Sequence, residues 1–501
     1  MRPVVASVVV VVLVCASPVV EAQETPKPVW LVVTRPMFVD AIAPLVKHRR
    51  AEGFEAVVSV ASPEKALKAL GRTPAFVVLV GDVRRGRKAQ PWHVPTTWRP
   101  LYRWRITQRK QFAADSLFGD LDGDLVADVP VGRIPVRRPG DLKTVVAKII
   151  AYEKHVPAPV DLRLLAWTGS PDYNPFIDSI AAGFAVEIVR RHAPDWAGAC
   201  MICGDARHPL CGWPVEQPEA FSRWLKEGGA LAVFMGHGAE THFFSMKSGD
   251  RSIGYTAAHA RKALVPGDRT PVMVFFTCNA GHFTGEATCL AESLLLMPGG
   301  PPAVIAATTE SHPLTNYFSG CAIVGELGGG VRRVGRLWLN SERKARRARS
   351  FLMERLLKDV EGKLEPKINV ANLRRDQVLM FDVFGDPAMR LPLPGRWNCR
   401  AVRKDDGWHW QAEKPEGATR LYVGLREPPS TPEKRTGPLD RKTARKRFEA
   451  ANAACAFRPL AQLGAADPWG GVVTRPGMLR LIAITPKRTY AATLTLRAPS
   501  H

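Results

Sequence analysis

Two short motifs carry residue types suited to nucleophilic chemistry. His237 stands between glycines in Gly236-His237-Gly238, and Cys278 stands in Thr277-Cys278-Asn279-Ala280-Gly281. A thiolate is a strong nucleophile, and an imidazolium beside it lowers the thiol pKa. An imidazole can also deliver a proton to a leaving amine near neutral pH. Glycines next to both residues let a peptide approach the backbone closely. The amides of Gly238 and Cys278 could hold the oxyanion of an acyl-transfer intermediate. Read singly, a cysteine after an apolar strand is a small core residue and a histidine between glycines is a turn. Read together, they suggest a thiol–imidazole pair that needs no cofactor.

Two further clusters could bind metal. Asp120, Asp122, Asp124 and Asp128 surround Gly123 and resemble the start of a calcium loop, where hard oxygen ligands gather. The closing glutamate of an EF-hand is missing, and the bland reading is a turn held by Asp side chains. Structural calcium is therefore a second expectation beside that turn. Cys200, Cys203, Cys211 and His208 suit zinc chemically, but their spacing fits no standard knuckle, so disulfides or free thiols are expected there.

The elements around the dyad decide whether its members meet. Residues 230–235 form an apolar run leading straight to Gly236-His237, and residues 271–276 form another leading to Thr277-Cys278. Further buried strands are expected at 29–34, 56–60, 76–80, 129–134, 162–168 and 303–308. Helices are expected at 38–50, 63–70, 141–154, 177–191 and 218–226, the last stopped by Gly228-Gly229. Strands alternating with helices predict a parallel sheet with helices on both faces. In such a sheet the carboxyl ends share one edge, where ligands bind. Neighbouring strands would bring His237 and Cys278 side by side. Residues 84–118 are polar, Arg-rich and irregular.

The character changes near Pro392-Leu393-Pro394-Gly395. Short alternating runs at 421–425, 479–485 and 491–496 predict a small β-sandwich of immunoglobulin type, with 428–447 as a long loop or helical insertion. Four parts are thus expected: a signal peptide (1–22), an N-terminal α/β subdomain (23–155), a catalytic α/β subdomain (156–394) and the sandwich (395–501).

Composition narrows the setting. The chain has 501 residues, 46% hydrophobic, enough for two or three domains, and a formal net charge of +23. Such charge favours acidic surfaces, including cell-envelope material. The basic runs at 84–88, 343–349 and 441–447 lack interleaved aromatics, so a solvated surface is expected and nucleic acid is not. Arg2, the apolar run 4–14 and Val20-Glu21-Ala22 read as a signal peptide, with lipid attachment at Cys15 as the weaker alternative. No later segment is long and apolar enough to span a bilayer. A secreted, periplasmic or cell-surface location follows.

Several motifs in order resemble the gingipain family of cysteine peptidases. Phe234-Met235-Gly236-His237-Gly238-Ala239-Glu240 is similar to its histidine motif, and Thr277-Cys278-Asn279-Ala280-Gly281-His282-Phe283 to its cysteine motif. Cys289-Leu290-Ala291-Glu292-Ser293-Leu294 and the run 303–308 resemble the helix and strand that follow there. Phe76 to Asp82, Asp120-Leu121-Asp122-Gly123-Asp124, Val131-Gly132-Arg133, Tyr152-Glu153-Lys154 and Val383-Phe384-Gly385-Asp386-Pro387 also fit the family. The resemblance spans about residues 28–394. It implies a caspase-like fold, endopeptidase activity through a Cys–His dyad, and secretion. It carries over His237 and Cys278 only. The family's acidic residue near the histidine has no clear match; Asp172 is the substitute in the corresponding loop, and Asp178 a weak candidate for reading substrate. A preference for Arg or Lys is therefore not assumed. The same dyad would serve a transpeptidase or sorting enzyme, and a catalytically silent surface-binding protein is the rival from another class.

Overall fold

The structure is a computed structural model and describes residues 26–84, 90–102, 109–170, 183, 186–351, 353–355, 369–428 and 440–497. The signal peptide, Asp172 and Asp178 lie outside the described residues. A ten-stranded sheet organises the first four-fifths of the chain. Its spatial order is Glu55–Ser59, Val29–Val33, Phe76–Val80, Val131–Ile134, Phe381–Phe384, Val304–Ala307, Met273–Phe276, Leu231–Met235, Arg163–Thr168 and Gly198–Cys203. Most of these are the runs rich in Val, Leu and Phe, buried on both faces as a helix-covered parallel sheet requires. Phe76–Val80 and Val304–Ala307 are buried throughout.

The sheet is mainly parallel, and one pairing departs from the expected wholly parallel arrangement. Phe381–Phe384 runs antiparallel to Val304–Ala307 while pairing parallel to Val131–Ile134. The sheet is therefore two parallel blocks of five strands that run in opposite senses. The carboxyl ends do not share one edge; only those of the second block lie with the dyad.

Helices cover both faces. Pro139–Lys154 begins with Pro in its first turn and buries Leu142, Val145, Val146 and Ile149, the stripe expected from the periodicity. Gln217–Glu227 ends where Gly228 adopts φ +107. The 84–118 segment contains a short ribbon, Trp98–Pro100 against Gln111–Ala113, instead of being irregular throughout.

Buried ion networks fasten these layers. Arg49 is fully buried and donates to Asp386 at 2.8 Å and to Glu153 at 2.8 Å. Trp30 Nε1 donates to the second Asp386 oxygen at 3.0 Å. A second centre holds Arg133, fully buried, between Asp115 and the carbonyls of Gly81, Val94 and Pro95. Charges buried this way persist because each is paired and hydrogen-bonded.

Glu342, on the helix Val334–Arg347, is buried and makes no ion pair among the described residues. Burial pushes its carboxyl up to about 8 from an ordinary 4.5. Across that window the folded chain holds a proton that the unfolded chain has released, so stability falls as pH rises through it. Glu342→Gln is expected to raise the melting temperature at pH 8 by a few degrees and hardly at all at pH 4. Equal shifts at both pH values would contradict this reading.

Residues 395–496 form two further sheets. One has five strands in the order Gly395–Arg396, Thr489–Leu496, Gly477–Ile484, Arg420–Arg426 and Arg458–Gly464; the other has Cys399–Lys404, Gly407–Ala412 and Gly470–Val473. They enclose a separate core around Trp408, Trp410, Leu421, Leu479 and Leu481. The helix Arg441–Cys455 leaves this unit, capped by Asp440, and docks on the outer edge of the large sheet. Asn452 bonds both the amide and the carbonyl of Met201 there, Phe448 stacks on Trp224, and Arg441 and Arg445 pair with Glu216. Part of the 441–447 basic run is thus engaged by a carboxylate.

Candidate active site

The strand Leu231–Met235 pairs parallel with Met273–Phe276, and the register sets Met235 opposite Phe276. His237 and Cys278 therefore each stand two residues beyond the paired ends, on one edge of the sheet. His237 is exposed and Cys278 half-buried. Phe276 O accepts from Gly236 N at 3.2 Å, which extends the pairing into the histidine loop.

Packing fixes both loops. A Cβ on Gly238 would lie 2.1 Å from Thr277 Oγ1 and 3.1 Å from Thr277 Cβ, so only glycine lets the two loops touch. After Cys278 the chain turns through Asn279 at φ +60, a left-handed conformation that Asn tolerates better than most side chains. Asn279 N donates to Thr309 O at 2.9 Å, and Gly281 N to Ala307 O at 2.8 Å, tying the cysteine loop to the next strand. Among the described residues, neither the Gly238 nor the Cys278 amide is bonded to a backbone carbonyl. Gly238→Ala is expected to lower kcat/KM at least about tenfold by forcing the loops apart. An unchanged kcat/KM in a folded variant would contradict the close approach.

Behind the histidine loop, a hairpin (His242–Ser248 with Arg251–Thr256) turns at Gly249, φ +59. Its inner face joins Phe243 and Tyr255 to Trp167, Phe221 and Phe234 in one aromatic cluster. Pairs of this kind contribute about 0.5–1.5 kcal/mol each beyond area burial. The loop carrying His237 is thus anchored on both sides, by a sheet strand and by the hairpin.

Electrostatics at the sulfur oppose spontaneous ionisation. Burial pushes the Cys278 thiol above its ordinary value, and the Glu310 carboxylate adds to the shift, while hydrogen bonds from the Ser311 amide and hydroxyl act against it. Ionising this thiol would require a base beside it.

Two positions overlooked in the sequence couple the loops. Glu240 Oε1 lies 3.2 Å from His282 Nδ1, joining the histidine motif to the cysteine motif, and also pairs with Arg109. Its backbone carbonyl accepts from Leu290 N at 2.6 Å. Arg84 reaches across from the first half of the sheet. It donates to Phe283 O and, at 2.6 Å, to Gly285 O, and pairs with Glu292 at 3.2 Å. Burial and the neighbouring Asp82 carboxylate push Glu292 up to about 8. The Glu of Gly-His-Gly-x-Glu was a visible signal for the first; nothing local marked the second.

The other candidate ligands are distributed as follows. The carboxylates of Asp120, Asp122 and Asp124 converge. Asp120 accepts from Gly123 N and Leu125 N, Asp122 from Asp124 N, and Asp124 from Val126 N, which is the turn chemistry expected of them. Asp128 does not join them; it faces Leu121 N and Arg343. Three of the four carboxylates named for calcium thus converge, and Asp128 stands apart from them. Cys200 and Cys203 lie on the edge strand, Cys211 in a short turn, and His208 Nδ1 accepts from Leu210 N. They form no metal cluster among the described residues, where all eight cysteines are free thiols.

A mixed α/β fold with a large, mainly parallel sheet flanked by helices and a thiol and an imidazole on one sheet edge defines a cysteine-enzyme architecture. The sequence model of peptidase family C25 matches residues 23–392, and the chain belongs to that family, the gingipains. It is a cysteine-type peptidase, and protein substrates follow. The Arg-specific cysteine proteinase gingipain R (RgpB) superposes with a TM-score of 0.52 at 16% identity, covering 95% of this chain and 99% of that one. The complex of Porphyromonas gingivalis RgpB pro- and mature domains gives a TM-score of 0.50 at 17% identity, covering 93% and 100%. A structure described as a protease gives 0.51 at 14%, covering 94% and 97%. No curated protein matches the chain by sequence. No helix of the described residues is long and apolar enough to cross a membrane.

Proposed function

We propose that this chain is a secreted cysteine endopeptidase in which Cys278 attacks the scissile carbonyl and His237 manages the proton. The register of Leu231–Met235 on Met273–Phe276 is the observation that carries this reading, because it sets both residues at equivalent places beyond neighbouring strand ends. As a peptide carbonyl approaches, His237 takes the Cys278 proton and the sulfur bonds to carbon. The Gly238 and Cys278 amides bind the oxyanion. Collapse breaks the C–N bond, and the amine leaves with the proton held by His237. Water, deprotonated by His237, then releases the acid and regenerates the thiol. The purified chain should cut members of a mixed peptide library, and prior treatment with iodoacetamide should abolish the cuts; cleavage unaffected by alkylation would contradict the reading.

Secretion rests on residues 1–22, and the basic surface suits acidic envelope material. The two C-terminal sheets around one core are what an immunoglobulin-type sandwich requires. Asp120, Asp122 and Asp124 offer hard oxygen donors, and we read them as a structural calcium site. Calcium added to chelator-treated protein should raise its melting temperature by a few degrees, and Asp122→Asn should remove the shift. A melting temperature indifferent to calcium would leave only the hydrogen-bonded turn.

A further inference from the structure

The loop that carries His237 continues directly into an aromatic pair on the surface. Gly238 bridges Phe243 in antiparallel fashion, Phe244 N donates to His237 O at 2.9 Å, and Ala239 N donates to His242 O at 2.8 Å. Residues 237–244 are therefore one tight unit, fixed to the backbone of the histidine itself. Alternation along the strand sorts its side chains. Phe243 is fully buried in the aromatic cluster, so His242 and Phe244 point the other way. Their rings meet edge to face, with centroids 4.3 Å apart and planes at 89°.

Phe244 is 36% exposed, and Phe351 is the other exposed phenylalanine among the described residues. The other exposed residues of the hairpin are Lys247, Gly249, Asp250, Arg251 and Ser252, all at its turn. An apolar ring thus stands at the end of the hairpin nearest the histidine. The register pairs Phe244 with Gly254, which has no side chain to cover the ring, and a Cβ there would lie 2.0 Å from Phe243 O. Burial holds the His242 imidazole below its ordinary pKa, so the pair is uncharged at pH 7. Water on such a surface is readily displaced by an apolar side chain.

The proton decides which half of a substrate this surface meets. An imidazole that protonates the leaving amine must reach the scissile nitrogen. The surface continuing from the histidine loop therefore flanks the amine half of the substrate. We propose that His242 and Phe244 form one wall of a subsite that takes an apolar side chain, aliphatic or aromatic, on the residue just after the cleaved bond. The proposal rests on His237 being the proton donor of the reaction, and it names a specificity determinant that neither dyad motif contains. A purely structural pair would cover the hairpin backbone and affect stability without ranking substrates.

The test uses the full chain and variants of one cleaved peptide that differ only in the residue just after the bond: Leu, Phe, Gly or Arg. Wild type is expected to show kcat/KM about tenfold higher for Leu or Phe than for Gly, the size of effect that apolar contacts of this kind give. Phe244→Ala should shrink that ratio to within about twofold. Phe244→Glu should turn the preference toward the Arg peptide, a gain that a misfolded protein cannot imitate. In neither variant should the preference at the residue just before the bond shift. If Phe244→Ala melts early, Phe244→Glu decides alone. An unchanged Leu-to-Gly ratio in folded Phe244→Ala, no ranking of the four peptides by wild type, or a shift confined to the residue before the bond overturns the proposal. Failure of the dyad itself looks different: Cys278→Ala would then keep cleaving, whichever peptides Phe244 ranks.

Discussion

Cys278→Ala is expected to lower peptide hydrolysis by on the order of 10⁴–10⁶-fold, as loss of a covalent nucleophile does when its partners act as a unit. The reason is local. Among the described residues, Cys200, Cys203, Cys211 and Cys289 are buried, and Cys321, Cys399 and Cys455 belong to other elements. Cys289, for example, is a helix N-cap whose thiol burial pushes far above its ordinary value. Among the described residues, Cys278 alone of the cysteines follows a strand paired with the one that leads to His237. His237→Ala should cost nearly as much in kcat at neutral pH, because the Cys278 thiol is pushed up by burial and needs a base. Initial rates of peptide cleavage, with melting curves to show that both variants fold, check the pair. A Cys278→Ala protein within tenfold of wild type would remove the assignment.

The largest stability effect is expected far from the sulfur. Arg49→Met should destabilise the fold by roughly 3–5 kcal/mol, the range for removing one partner of a buried ionic network. Arg49 is enclosed by Asp386, Glu153 and Glu52. Without it, Asp386 and Glu153 stay buried with their charge partly uncompensated, and the remaining cations, Arg333 and Arg390, reach Glu52 and Glu153 only from the rim. Methionine fills the volume, so the loss is electrostatic and not a cavity. Denaturant unfolding monitored by intrinsic fluorescence measures it. A change below about 1 kcal/mol would show that the network contributes geometry without net stability, as some buried ion pairs do.

That network also explains what the sequence revealed and what it hid. The strand runs were legible because residues buried on both faces are uninterrupted apolar β-formers, as in Phe76–Val80. Phe381–Phe384 escaped because its four residues include Asp382, a buried carboxyl pushed up by burial and the nearby Asp115. Its direction is set by pairing with strands more than seventy positions earlier, which no local pattern encodes. The helix Pro313–Glu326 is buried on several faces and carries Thr315, Asn316 and Ser319 inward, so it lacks the polar stripe that marks a surface helix. The hairpin after His237 was hidden by its polar outer residues, although Gly249-Asp250 is a turn signal.

The neighbouring placement of His237 and Cys278 was legible because each follows its own apolar run. The family motifs Glu153 and Asp386 were legible as motifs but not as partners, since 233 residues separate them and Arg49, from a third segment, joins them. Arg84 was invisible for the same reason: its role exists only once distant segments meet.

Rapid acid quench during cleavage of an activated ester of a substrate peptide, followed by peptide mapping, tests the central claim most directly. The account predicts an acyl group on Cys278, formed in a burst, absent from Cys278→Ala and formed slowly in His237→Ala. An acyl group on another residue, or sustained turnover with Cys278 never acylated, would contradict it.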